Sequence, residues 1–398
     1  MKRLILTRLK NNIVCGLFDG NVPVEMNIES GDKPSLLGNI YIGKVKDIKK
    51  NINAAFIDIG LEKNCYYSLE DNSFPYYAHG LEKEVPSVGD DIIVQISKEA
   101  VKTKPPTLSS HLKFSGRYVL VETGKNEFGI SHKINIERKE ELYNLLFEKR
   151  PDNISVIVRT NAQNAADEDI LAELCEYKDI IENEVPKWKM RTAFTCVKKN
   201  EPYYIKLLKE TPLEDFDEII TDDTDILCEA ENFLLEYCPL EKDKLKFYSD
   251  KSYSLSKVYS IEKCLSDALY KKVWLKSGAY IVIEPTEALC VIDVNSGKKI
   301  TGKDKESSSL AVNKEAAYEI MRQLRLRNIS GIIIADFIDM KNDENRLELF
   351  SYIKAIAEDD KIGVKVHGLT HLGLVEITRK KVRMSLYEQY KNAYNECN

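Results

Sequence analysis

The chain has 398 residues, 43% of them hydrophobic and 31% charged, a length that calls for two or more domains because single cores rarely grow beyond about 250–300 residues. No apolar run approaches the roughly 20 residues a membrane helix needs, and the short apolar stretch after Met1, Lys2 and Arg3 is broken at Arg8 and Lys10, so the expectation is a cytoplasmic protein with neither membrane span nor signal peptide. The formal net charge of -6 argues against a protein that coats nucleic acid indiscriminately, since such binding is driven by excess lysine and arginine.

In chain order, the first organised segment runs from 38 to 110. Alternating β-branched and aromatic residues at 39–45, 54–59 and 91–96, separated by turns such as Val88-Gly89-Asp90, predict short strands. A barrel of this size matches an OB-fold, a common platform for single-stranded nucleic acid. From 111 to 202, strands at 118–121 and 154–158 mix with helical periodicity at 138–149 and 167–182, which predicts a separate α/β insert. Residues 203–277 carry a strand at 217–220 that leads through Asp222 and Asp223 into a helix over 227–237, ended by Pro239; residues 1–37 are expected to supply its missing strands. The last segment, 278–398, opens with a hairpin of strands at 279–284 and 288–293. An amphipathic helix follows at 309–327, with Leu310, Ala317, Ile320, Met321 and Leu324 near one face, then an apolar strand at 331–337, a helix at 344–358 and a strand at 364–366. The order β-β-α-β-α-β predicts an α/β domain with a largely buried sheet.

Asp293 and Asp336 stand out because each ends or interrupts a strand otherwise made of Ile, Val and Leu, where an unpaired carboxylate is costly to bury. Period-two alternation puts Leu289, Val291, Asp293 and Asn295 on one face of their strand. If the Asp336 strand is a neighbour, a strand spacing of about 4.8 Å lets both carboxylates reach one hard cation. Read from the residues alone, the two aspartates could equally cap turns or helices that follow their strands. The basic runs Lys44, Lys46, Lys49 and Lys50, then Lys98, Lys102 and Lys104, then Arg379, Lys380, Lys381 and Arg383 are open in the same way: local patches for phosphate, or solvated faces.

Longer stretches narrow the choice. Val291-Ile292-Asp293-Val294-Asn295-Ser296-Gly297, Arg322-Gln323-Leu324-Arg325-Leu326-Arg327, Gly331-Ile332-Ile333-Ile334-Ala335-Asp336-Phe337-Ile338-Asp339-Met340 and Leu372-Gly373-Leu374-Val375-Glu376-Ile377-Thr378-Arg379-Lys380 resemble, in order, the signatures of the ribonuclease E/G family. Residues 38–43 and 54–64 are similar to that family's OB-fold, so the likeness spans nearly the whole chain. The resemblance implies a multi-domain α/β and β protein: an OB-fold RNA-binding barrel at 38–110, a 5′-sensor-like α/β insert at 111–202, a ribonuclease-H-like scaffold from 1–37 and 203–277, and a deoxyribonuclease-I-like α/β catalytic domain at 278–398. It implies a magnesium-dependent endoribonuclease that hydrolyses single-stranded RNA to 5′-phosphate and 3′-hydroxyl ends in RNA processing or decay.

The residue roles it implies are Asp293 and Asp336 as magnesium ligands and Asn295 as a group orienting the aspartates, the scissile phosphate or the attacking water. Asp339, on the opposite face from Asp336 by strand parity, is expected to support the site from behind the ligands or to serve the fold. In the barrel, Phe56 and Tyr66 would stack on bases, Tyr66 replacing the usual phenylalanine, while Lys98 and Lys104 would touch RNA backbone. In the insert, Gly116, Leu120, Arg159 and Thr160 would form a pocket for a 5′-monophosphate. Two departures predict a weaker grip there: Asn161-Ala162-Gln163-Asn164 replaces a glycine-containing run, and His132 stands where the family has arginine.

The rival expectation is a non-catalytic RNA-binding protein descended from the same family, with retention of Asp293, Asn295 and Asp336 as the argument against it. Nine cysteines without a C-x-x-C pair fit a reducing compartment. In longer family members two subunits each contribute a C-x-x-C pair to one zinc. Here the corresponding stretch, Tyr394-Asn395-Glu396-Cys397, supplies one thiolate per chain, and two thiolates cannot close a four-ligand site. The expectation is no stoichiometric zinc, and a monomer or a dimer formed through another surface.

Overall fold

The computed structural model describes residues 1–32, 34–79, 82–100, 104–297 and 305–394; Lys102 and Cys397 lie outside the described residues. The chain divides into two compact units, one of Met1–Lys33, Asp217–Ile226 and Lys246–Asn398, the other of Pro34–Phe216 and Leu227–Leu245.

In the first unit, strands Lys2–Leu9, Asn12–Asp19 and Val22–Glu29 form an antiparallel meander, and Glu218–Thr221 joins parallel to the first of them with Arg3 opposite Glu218. The inward residues Ile5, Val14, Phe18, Met26 and Ile28 pack with Leu255, Ile261, Leu265 and Leu386.

The same unit contains a six-stranded sheet in the order Lys272–Trp274, Tyr280–Pro285, Leu289–Asn295, Gly331–Asp336, Val375–Arg379, Val364–Leu369. Helix Lys305–Leu326 turns Ala316, Ala317, Ile320, Met321 and Leu324 toward it, a spacing of three and four residues that makes one apolar stripe. Helix Asp343–Ala357 adds Leu349, Ile353 and Ala357, and starts at Asn342, whose side chain accepts from the Glu344 amide at 2.8 Å. These residues meet the sheet face that carries Ile281, Ile283, Cys290, Ile292, Val294, Ile333, Ala335, Val375 and Ile377.

The other face is not buried as the apolar runs led us to expect. Val291 is 37% and Ile332 50% exposed, because the strands alternate strictly and both helices pack on the opposite side. The strands Lys272–Trp274 and Val375–Arg379 and the helix Leu386–Tyr394 are further elements beyond the predicted order; the first extends the sheet at its edge, and the second inserts between Gly331–Asp336 and Val364–Leu369.

In the second unit, strands Ile40–Lys49, Ala54–Asp58, Cys65–Ser68, Thr107–Ser109 and Asp91–Lys98 pair in that order, and the last closes on the first, giving a five-stranded, OB-like barrel. Val45, Ala55, Ile57, Cys65, Tyr67, Ile92, Val94 and Leu108 fill it. The insert is a four-stranded sheet of Phe128–Ile130, Ile154–Val158, Val119–Thr123 and Lys113–Ser115, with helices Ile136–Leu146 and Asp167–Asp179.

Candidate active site

Strands Leu289–Asn295 and Gly331–Asp336 run parallel, with Asp293 directly opposite Asp336. Both side chains belong to the open face of the sheet. At the ordinary strand spacing of about 4.8 Å two carboxylates so placed can share one ion. Asn295, two residues further along the same face, donates from Nδ2 to Asp293 Oδ2 at 2.5 Å and so fixes that carboxylate's rotamer. Burial, followed by the charges of Asp293 and Asp339, pushes the Asp336 carboxyl above the usual range; a divalent cation between the carboxylates would relieve that repulsion.

The Asp339 charge is the smallest of these contributions. Its strand ends at Asp336, so two-residue alternation no longer governs where residue 339 lies. The turn is held by Asn313, fully buried on the long helix, which donates to the Ile338 carbonyl at 2.8 Å and accepts from the Ile338 amide at 2.9 Å. Sequence reading missed Asn313; an asparagine between Val312 and Lys314, next to the helix's apolar stripe, was the available signal. Among the described residues no group of three or more His, Cys, Asp or Glu side chains forms a metal cage. An aspartate pair so placed could hold a hard divalent cation whose remaining ligands are water and phosphate oxygen.

On the barrel, Phe56 and Tyr66 face each other across adjacent strands, with ring centroids 6.3 Å apart in an edge-to-face arrangement. Both are half-buried, unlike Ile57 and Tyr67 beside them, which point into the core. Thr107 pairs with Tyr66, and Lys98 with Thr107, so the two rings and the lysine form one row across the barrel surface. Lys104 is exposed in the segment leading to Thr107.

In the insert, Arg159 follows strand Ile154–Val158 and its guanidinium is already engaged. Nη1 donates to Ser115 Oγ at 2.9 Å and to the Gly116 carbonyl at 2.8 Å, while Nη2 lies 3.2 Å from Glu210 Oε1. The Thr160 hydroxyl is hydrogen-bonded to Ser131 Oγ at 2.8 Å. Leu120 sits opposite Ser115 in the sheet, and His132 is exposed, its carbonyl accepting from Lys139. Next to Gly116, the amides of Arg117, Tyr118 and Val119 all donate to the Glu173 carboxylate at 2.6, 2.7 and 2.7 Å. A Cβ at Gly116 would come within 2.3 Å of that carboxylate, so only glycine fits. The structure thus brings Gly116, Arg159 and Thr160 together, but with Glu210 as a built-in partner for the arginine. Glu173 and Glu210 lie far from Arg159 in sequence and were not found there.

Several basic residues have partners within the fold. Lys44 pairs with Asp91, Lys46 with Asp58 and Lys49 with Asp47. Arg379 is buried against Asp360 at 3.1 Å and also donates to Asn328 and the Ile329 carbonyl. Arg383 reaches Glu25 and Asn27. In the Arg322–Arg327 stretch, Arg322 binds Glu319 and the Pro23 carbonyl, and Arg327 the Tyr270 carbonyl; burial pulls Arg327 down to about 10. These arginines lock the helix end to the sheets. No helix among the described residues is long and apolar enough to cross a membrane. Cys15, Cys65, Cys238 and Cys290 are buried free thiols.

Comparison with known proteins points the same way. The sequence model of the Ribonuclease E/G family matches residues 113–382. Ribonuclease G of Escherichia coli (strain K12) is 30% identical over 397 residues, covering 96% of this chain and 80% of that protein. Ribonuclease G of Haemophilus influenzae is 31% identical over 398 residues with the same coverage. Ribonuclease E of Synechocystis is 32% identical over 386 residues, 94% of this chain and 56% of that protein.

Proposed function

The chain belongs to the ribonuclease E/G family, and from that premise we propose that it is a magnesium-dependent endoribonuclease that hydrolyses single-stranded RNA to 5′-phosphate and 3′-hydroxyl ends. The observation that carries this reading is the register of Asp293 with Asp336, with Asn295 bonded to Asp293. Asp293 and Asp336 would hold the ion. Magnesium bound there supplies Lewis acidity toward a phosphoryl oxygen and toward water. Asn295 keeps the Asp293 carboxylate aimed, and Asn313 keeps the turn after Asp336 from moving away. Phe56 and Tyr66 offer ring faces to bases, and Lys98 and Lys104 neutralise backbone phosphate. Arg159 and Thr160 form a 5′-monophosphate site attenuated by Glu210. In this reading residues 1–37 with 203–277 contribute the ribonuclease-H-like scaffold, apart from the strand Lys272–Trp274, which joins the sheet of the deoxyribonuclease-I-like catalytic domain 278–398, and the role in the cell is RNA processing or decay. The test is incubation with labelled AU-rich single-stranded RNA with and without magnesium, with end analysis of the products.

A further inference from the structure

The open face of the catalytic sheet carries an aromatic pair that the roles above leave unused. Trp274, on the edge strand, is 64% exposed and lies opposite Tyr280, with ring centroids 5.2 Å apart at 62°. The Lys272 ammonium sits 4.0 Å from the Trp274 ring centroid and 3.6 Å from that of Tyr280. An indole this exposed, beside a second ring and a cation, is a poor solution for stability alone. Its hydrophobic area stays in water, and it contributes nothing to the core on the helix side.

Its place in the register gives it a direction. Across the strands, Trp274 pairs with Tyr280 and Tyr280 with Asn295; one row along, Lys272 pairs with Val282, Val282 with Asp293, and Asp293 with Asp336. Trp274 and Lys272 are therefore two strand spacings from the Asp293 strand, about 10 Å, on the same face. That is within reach of a nucleotide flanking a phosphate held at the carboxylates.

We propose that Trp274, Tyr280 and Lys272 form a second single-stranded-RNA contact, in which the exposed Trp274 indole stacks on a base adjacent to the scissile bond, Tyr280 supports the indole edge to face, and Lys272 meets the neighbouring phosphate. This rests on the endoribonuclease reading and deepens it. Stacking on a ring is tolerant of sequence because every base has a π face, so the contact positions the strand over the aspartates and selects for an unpaired base.

Two measurements test the inference. The chain has two tryptophans, and the other, Trp188, is buried at 9% exposure. Titration of the wild-type protein with a single-stranded oligoribonucleotide in chelator is expected to quench the Trp274 emission, and the quench is expected to vanish in Trp274→Phe. Then an RNA series with one abasic nucleotide walked across the cleaved bond is assayed with magnesium. In the wild type one flanking position should lower kcat/KM by about 5- to 100-fold, the range one stacked base carries. Trp274→Ala should lose that sensitivity, and Trp274→Phe should restore it. An unchanged abasic profile in Trp274→Ala, or no quenching, overturns the proposal. So does a change in sedimentation mass in Trp274→Ala without a change in the profile, which would assign the face to a second copy of the chain. If the wild type cuts no RNA, the endoribonuclease reading fails, and quenching still decides whether RNA bases reach Trp274.

Discussion

Removing the Glu210 carboxylate should strengthen the response to a 5′-monophosphate. In the folded chain Arg159 Nη2 faces Glu210 at 3.2 Å, with side-chain exposures of 23% and 35%. A pair this hydrated contributes roughly 0.5–1 kcal/mol, and a phosphate must displace it to bind the guanidinium bidentately. Converted at 1.4 kcal/mol per decade, Glu210→Gln should raise the ratio of cleavage rates for 5′-monophosphorylated over 5′-hydroxyl RNA by about 2- to 5-fold. Arg159 stays in place in the variant because Ser115 and Gly116 still hold Nη1. The assay is single-turnover cleavage of two RNAs identical except at the 5′ end, with Arg159→Ala as the reference for a lost site. Because part-exposed pairs are screened, the gain should shrink as salt is raised. An unchanged ratio in Glu210→Gln, in a protein whose ratio falls in Arg159→Ala, would refute the competition argument.

Other predictions follow from the same geometry. Tyr66→Ala should weaken binding of a single-stranded oligonucleotide by about 5- to 100-fold, and Tyr66→Phe should leave it nearly unchanged, as read by filter binding; equal losses in both would mean that the hydroxyl, and not the ring face, makes the contact. Glu173→Gln should destabilise the protein by about 1–3 kcal/mol, because an amide cannot accept from three backbone N–H groups without turning its own NH2 toward one of them. Burial raises the Glu173 carboxyl despite its bonds from Val119, Arg117 and Tyr118. A raised acid contributes stability that is full below its unfolded value and is lost as pH climbs through the folded one. The gap between wild type and Glu173→Gln in urea denaturation should therefore narrow as pH rises from the ordinary carboxylate value upward, and a gap that widens would contradict the burial argument.

Much of the frame was legible because it follows local periods. Strict alternation placed Asp293 and Asn295 on one face, and the three-and-four spacing of Ala317, Ile320 and Leu324 marked the helix that covers the other. Where the reading failed, an apolar run was taken for more than it shows. The apolar run 331–337 predicted burial on both faces, but a strand of isoleucines looks the same whether one face or two are covered, and Ile332 is half exposed. Charge partners were the least legible, since they depend on contacts distant in sequence. Arg379 and Arg383 read as a basic patch until Asp360 and Glu25 appear beside them, and nothing near Arg159 announces Glu210.

The central claim is that Asp293 and Asp336 hold the ion that cuts RNA. It is tested most directly by measuring, on one labelled single-stranded RNA, magnesium-dependent cleavage and filter-binding affinity for the wild type, Asp293→Asn and Asp336→Asn. The account predicts cleavage by the wild type only when magnesium is present, none by either variant, and affinities within a few fold of one another because the barrel rings and lysines supply the binding. Near-normal turnover in either variant would contradict it.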